Sequence, residues 1–327
     1  MAPRKVLDWL LEDDQPAVRY RTLRGVLGRP ETDSEVREAR RRIPHVGWAA
    51  DILSHRNPDG WWVDGTSLYT PKYLSTNWQM IVLSDLGLTR EIPPVEASCE
   101  LWMRRFAAQG GGVGGNSGGI AHHCVAGNQA RALIRFGYAD DPRVLRTLEW
   151  LVETAAPQGG WSCWGSGRNL DSWEGLSAFA VYPRSRWTGA MKASVERGAE
   201  FFLERELHRQ GERYAPWFRL HYPHHYYYDL LVGLDVLTRL GYRDDPRLRF
   251  ALSFLKKKRR KDGRWNLDAV HPDVEGHMGE WYRKHPKRRP IPQVIETPGK
   301  PSKMVTLLAQ TVLDRVEGTA PRTGSEV

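Results

Sequence analysis

Cysteine is scarce: Cys99, Cys124 and Cys163 are the three in 327 residues. Three thiols make no disulfide framework, so a reduced, cytoplasmic setting is the expectation. Long apolar runs are missing, and no stretch approaches the ~20 residues a membrane span needs. Met1 to Lys5 precede one short apolar group and then Glu12, Asp13 and Asp14, so a secretory leader is not expected. No segment alternates apolar and polar residues with β-branched enrichment, which excludes a sheet as the main architecture. One Gly-x-Gly-x-x-Gly pattern falls within Gly110 to Gly119. It follows a helical pattern, and no Lys-Ser or Lys-Thr comes after it, which excludes a nucleotide fingerprint.

What the chain has is tryptophan, glycine and a repeat. Asp59-Gly60-Trp61-Trp62, Gly159-Gly160-Trp161 and Asp262-Gly263-Arg264-Trp265 are copies of one phrase. Gly60, Gly112, Gly160, Gly211 and Gly263 are separated by 52, 48, 51 and 52 residues. A step this constant marks stacked supersecondary units. A second phrase opens helices: Asp140-Asp141-Pro142 and Asp244-Asp245-Pro246, with Asp14-Gln15-Pro16 a looser copy. Aspartate before proline is an N-cap with proline in the first turn. Arg135-Phe136-Gly137-Tyr138, Arg239-Leu240-Gly241-Tyr242 and Asp85-Leu86-Gly87-Leu88 read as helix stops, where glycine adopts the left-handed cap.

Each unit therefore reads as a first helix, a tight Gly-Trp loop and a second helix. The first helices are charged on one face or at one end, as at Lys256 to Lys261, and the second are apolar almost all round, as at Leu230 to Leu234. A helix apolar on every side is buried on every side, which puts the second helices inside. About six such hairpins predict an all-α fold, an α/α toroid over residues 1–315. Residues 316–327 are expected to form a loose tail.

The Gly-Trp loops at Gly60-Trp61, Gly160-Trp161 and Gly263-Arg264-Trp265 resemble the repeat of the prenyltransferase and squalene cyclase α/α toroids. The resemblance spans roughly residues 40–315 and is nearest to single-ring bacterial proteins that carry the repeat. It implies fold more strongly than chemistry. The Asp-x-Asp-Asp motif with which the cyclases protonate an alkene is missing, and the chain has room for one ring rather than two.

In such a ring the N-termini of the inner helices gather at one mouth of the central cavity. Candidate site residues follow from that placement. The resemblance implies zinc held by Cys124, Cys163 and His225, the alternative being two small buried hydrophobes and a capping histidine. Lys72 and Lys303 are candidates for an anionic head group, in line with a net charge of +9. Tyr73, Trp78, His123, Trp164 and Tyr226 are candidates to line a cavity for an apolar substrate. Asp171, Glu174 and Asp229, with Asp64, are the carboxylates for acid or base work. Asp171 and Glu174 also fit an N-cap and capping box. His271, Glu275 and His277 read as part of a polar surface loop, and the glycine cluster as a mobile flap over the mouth.

The expected activity is that of a prenyltransferase-like or terpene-cyclase-like enzyme on an apolar or isoprenoid small molecule, with Zn2+ and Cys124 as the catalytic pair. The alternatives are an (α/α)6 carbohydrate-active hydrolase or lyase using paired carboxylates, and a non-catalytic binding scaffold. The basic run Lys256 to Lys261 lacks the aromatic pattern of a nucleic-acid surface, so no nucleic-acid partner is expected.

Overall fold

A computed structural model describes residues 2–163, 169–209, 214–225, 227–271, 273–288, 291 and 295–319, Glu275 by its backbone alone. Trp164 and Tyr226 lie outside the described residues, as do residues 320–327 of the expected tail. The helices are α1 (Arg4–Leu10), α2 (Pro16–Gly25), α3 (Ser34–Arg42), α4 (Trp48–Ser54), α5 (Thr76–Asp85), α6 (Pro93–Arg105) and α7 (His123–Leu133). After them come α8 (Pro142–Thr154), α9 (Glu174–Val181), α10 (Gly189–Glu204), α11 (Leu230–Arg239), α12 (Arg249–Lys257), α13 (Asp273–Lys284) and α14 (Lys303–Val316). Among the described residues β-structure is limited to isolated bridges.

The packing order closes a ring. Helix α5 packs on α7, α7 on α9, α9 on α11, α11 on α14, and α14 on α2. Arg21 of α2 then donates to the Asp85 carbonyl of α5 at 2.6 Å, which completes the circle. Outside them stand α1, α3 and α4, α6, α8, α10 and α12, each leading toward the next inner helix. The fold is the α/α toroid. All ten residues of α5 are buried, whereas α8 buries Val144, Thr147, Leu148 and Leu151 along one stripe, as inner and outer positions require.

The Gly-Trp phrase recurs because it solves one problem three times. The indole Nε1 of Trp62 donates to Ile52 O at 2.8 Å, that of Trp161 to Leu151 O at 3.0 Å, and that of Trp265 to Leu255 O at 2.8 Å. Each tryptophan thus bonds a carbonyl in the last turn of an outer helix ten residues earlier, while its ring fills the gap to the inner layer. Trp62 N and Trp265 N donate to Thr76 and Thr306, early in the following inner helices. The Asp-Pro phrases cap as expected: Asp141 accepts from Arg143 N and Asp245 from Arg247 N. The looser copy does not, since Asp14 instead pairs with Lys303. The stop after α7 has Gly137 at φ 99°, in the left-handed region that suits glycine.

Because every inner helix runs the same way, their C-termini converge. Each carries about half a negative charge. Six ends therefore bring roughly three negative charges beside the carboxylates of Asp85 and Asp235. Five arginines oppose them: Arg21, Arg131, Arg135, Arg239 and Arg315. Arg135 pairs with Asp85, and Asp235 is held by Arg239 at 3.1 Å and Arg315 at 2.7 Å. These pairings hold both carboxyls below the usual carboxylate range, against the opposing effect of burial. The lumen they fill is a cavity of about 40 Å³, room for little more than a few waters.

Candidate functional site

At the other end of the ring, helix N-termini and acidic groups meet. Asp229 accepts from Val232 N at 2.8 Å and caps α11. Ser302 caps α14 through Val305 N, and Glu296 accepts from Lys303 N and Met304 N. At α7 the acceptor is sulfur: Cys124 N donates to Cys163 Sγ at 2.9 Å.

The mouth itself is covered. The segment between His221 and Asp229 leaves α11 and crosses to α5, the inner helix opposite. There His225 packs on Tyr73 at 5.3 Å and on Trp78 at 5.2 Å between ring centroids. Tyr222 and His224 face down into the lumen. Over this lies α13, with His271 Nδ1 2.8 Å from Tyr73 Oη and its ring against Tyr227. The polar loop expected around His271 to His277 is thus largely a helix, because Asp273 to Lys284 places Val274, Met278, Trp281 and Tyr282 at helical spacing on the ring.

The roomy space is to one side. Between the loops that lead into α5 and α7 lies a pocket of about 440 Å³, within the range of small-molecule sites. Leu68, Tyr69, Phe106 and Val125 give it apolar walls, Arg105 stands at its edge, and Cys124 and Cys163 reach it from the side of α7 and α9. Gly114 and Gly115 form part of the wall. The glycine cluster is no loose flap here: a Cβ at Gly114 would lie 2.5 Å from Ala126 Cα, and its φ is 96°. The glycines are needed because the loop lies directly on α7.

The two thiols differ. Hydrogen bonding from the Cys124 thiol and from backbone N–H groups at the α7 N-terminus lowers the pKa of Cys163. Cys124 is raised, by donating to Cys163 and by burial. Beside them Glu174, the first residue of α9, is fully buried, and among the described residues neither carboxyl oxygen accepts a hydrogen bond from another residue. Burial first, and the negative charge of Cys163 second, push its pKa well above the usual carboxylate range. Asp171 is also raised by burial, though Trp217 Nε1 donates to it at 2.7 Å. The expected capping box is not formed: α9 has Trp173 as its N-cap, with no side-chain bond.

The remaining sequence candidates are placed as follows. His225 is with Tyr73 and Trp78, and among the described residues Cys124, Cys163 and His225 do not bring three ligand atoms to one point. His123 cannot replace it without losing its contacts to Ser162 O at 2.9 Å and Thr154 Oγ1 at 3.0 Å. Two sulfurs without a third ligand do not fit the zinc site that the resemblance implied. Lys72 and Lys303 do not share a head-group site: Lys72 lies 3.8 Å from Asp273, and Lys303 pairs with Glu12 and Asp14. Asp64 binds Thr66. Burial raises both Asp171 and Glu174, Glu174 well above the usual carboxylate range. The lumen arginines and the Arg105–Phe106 pocket wall were not picked out from the sequence. Two of the five, Arg135 and Arg239, stood in the Arg-x-Gly-Tyr phrases read only as helix stops.

No protein-family model and no curated protein matches the chain. Among solved structures it is similar to a protein from Actinoplanes, at 17% identity over 96% of this chain and 97% of that one, with a TM-score of 0.45. It is also similar to the type II terpene cyclase MstE from Scytonema. The apo form is 16% identical over 81% of this chain and 95% of that one, TM-score 0.33. The form in complex with geranylgeranyl dihydroxybenzoate is 15% identical over 82% and 94%, TM-score 0.31. Similarities this low say nothing of the reaction. No helix among the described residues is long and apolar enough to cross a membrane.

Proposed function

We propose that the chain is an enzyme of terpene-cyclase type that takes an apolar, isoprenoid-like substrate into the pocket between the α5 and α7 entrances. The observation that carries this is Glu174: a buried carboxyl without a partner, beside two thiols that reach a 440 Å³ pocket. A carboxyl kept neutral at pH 7 is a proton donor. In this reading Glu174, which does not itself line the pocket, comes within reach as substrate binding displaces the lining side chains and protonates a substrate double bond, the apolar walls shield the resulting cation from water, and the carboxylate recovers a proton from that cation as the product forms. The reaction is redox-neutral and needs no metal ligand from the cysteines. Burial, more than any neighbour, favours the protonated form of Glu174, and Arg105 at the pocket edge meets an anionic head group if the substrate carries one.

The test is incubation with a panel of prenyl diphosphates and prenylated phenols, with products identified by mass spectrometry. Isomerised or cyclised product from the wild type, lost in Glu174→Gln while substrate still binds, supports the reading. Turnover that survives Glu174→Gln, or failure of every apolar ligand to bind in the pocket, overturns it.

A further inference from the structure

His221, His224 and Asp229 are not used by that chemistry. Each can offer one ligand atom within 4.8 Å of the other two, and all three residues are buried. Among the described residues the Nε2 atoms of His221 and His224 meet no hydrogen-bond partner, a costly state for buried polar atoms. The imidazole rings stand 5.1 Å apart, nearly perpendicular, so neither blocks the other by stacking. Asp229 already fixes its neighbour: its Oδ2 lies 2.6 Å from His221 Nδ1 and accepts from His221 N at 3.0 Å. Its Oδ1 is taken by the cap on α11, so the carboxylate is held in place by the fold itself.

We propose that these three residues form a binding site for a first-row divalent transition-metal ion, separate from the thiol pocket. Two imidazoles and a carboxylate suit Zn2+ or Co2+. The 2.6 Å contact between Asp229 Oδ2 and His221 Nδ1 is then exchanged for a bond from each of these atoms to the ion. His224 faces the lumen, whose free volume of about 40 Å³ leaves space for an ion with a bound water. One carboxylate leaves a single excess positive charge, and Asp85 lines the same lumen as His224. An ion here pins the segment that crosses from α11 to α5, and so stiffens the cover of the mouth.

The experiment is titration of the full, tag-free, metal-stripped chain with Zn2+ by calorimetry and with Co2+ by visible absorption. The wild type is expected to take up one equivalent of either ion, with the Co2+ bands of a low-symmetry nitrogen–oxygen site. His224→Ala and the cap-preserving Asp229→Asn should each weaken binding tenfold or more. Near-UV circular dichroism confirms that both are folded, and His224→Gln serves if His224→Ala is not. The double variant Cys124→Ser/Cys163→Ser should bind as the wild type does. No uptake by the wild type, uptake unchanged in folded His224→Ala or His224→Gln, or uptake lost with the cysteines would each overturn the assignment. Failure of the cyclase reading leaves this result untouched.

Discussion

Replacing Asp235 by asparagine removes the charge that holds two arginines where six helix ends converge. Asp235 lies between Arg239 on its own helix and Arg315 on α14, both guanidinium groups being almost entirely buried. An asparagine of the same shape leaves two cations with the helix-end dipoles alone. Removing one partner of a buried pair costs about 3–5 kcal/mol. At about 2 °C of Tm per kcal/mol for a chain of this size, calorimetry should read a fall of roughly 6–10 °C. The origin of the cost is checked by a second change. Asp235→Asn with Arg315→Met removes the stranded cation and should recover part of the loss. The pH dependence has a definite sign. Asp235 and Asp85 are depressed in the folded state, so their stabilisation is present above the unfolded carboxylate value of about 3.9. It is lost as pH falls below that value toward their folded pKa, and the Asp235→Asn variant should show a shallower acid limb than the wild type. A loss under 1 kcal/mol, or a double variant as unstable as the sum of the singles, would refute the account of the lumen as a balanced charge network.

Glu174→Gln should leave Tm unchanged or raise it at neutral pH, because a carboxyl whose pKa is raised on folding opposes stability once pH exceeds its unfolded value; a clear loss of stability would mean the carboxyl is structural. In iodoacetamide labelling followed by peptide mapping, Cys163 should react before Cys124 and Cys99, since Cys163 is lowered while the other two are raised; equal rates would contradict the thiolate assignment. Gly114→Ala should destabilise by more than ~1 kcal/mol and close part of the pocket, read as weaker ligand binding. Trp161→Phe removes the bond to Leu151 O and should cost about 1–3 kcal/mol in urea unfolding; an unchanged midpoint would show that the repeated indole bond is dispensable.

The helical ring could be read from the sequence because its signals are local. A glycine turn every fifty or so residues, three of them with tryptophan, Asp-Pro caps and Gly-Tyr stops act within one or two turns, and each meets the same physical need wherever it recurs: a helix-end carbonyl, an unpaired N–H, a chain reversal. The inner and outer assignment followed from which helices are apolar all round. The gathering of Cys124, Cys163, Glu174 and Asp229 at one mouth followed in turn from the parallel inner helices. What the sequence did not decide was which of those groups touch. Whether Lys303 faced a ligand or Glu12, and whether His225 joined the cysteines or crossed to Trp78, depended on partners some 290 and 150 residues distant. Side-chain direction at a helix entrance is set by the loops that cover it. The same holds for the lumen: the Arg135 and Arg239 phrases are ordinary helix ends by themselves, and only closure of the ring brings six helix ends together and requires the arginines to balance them.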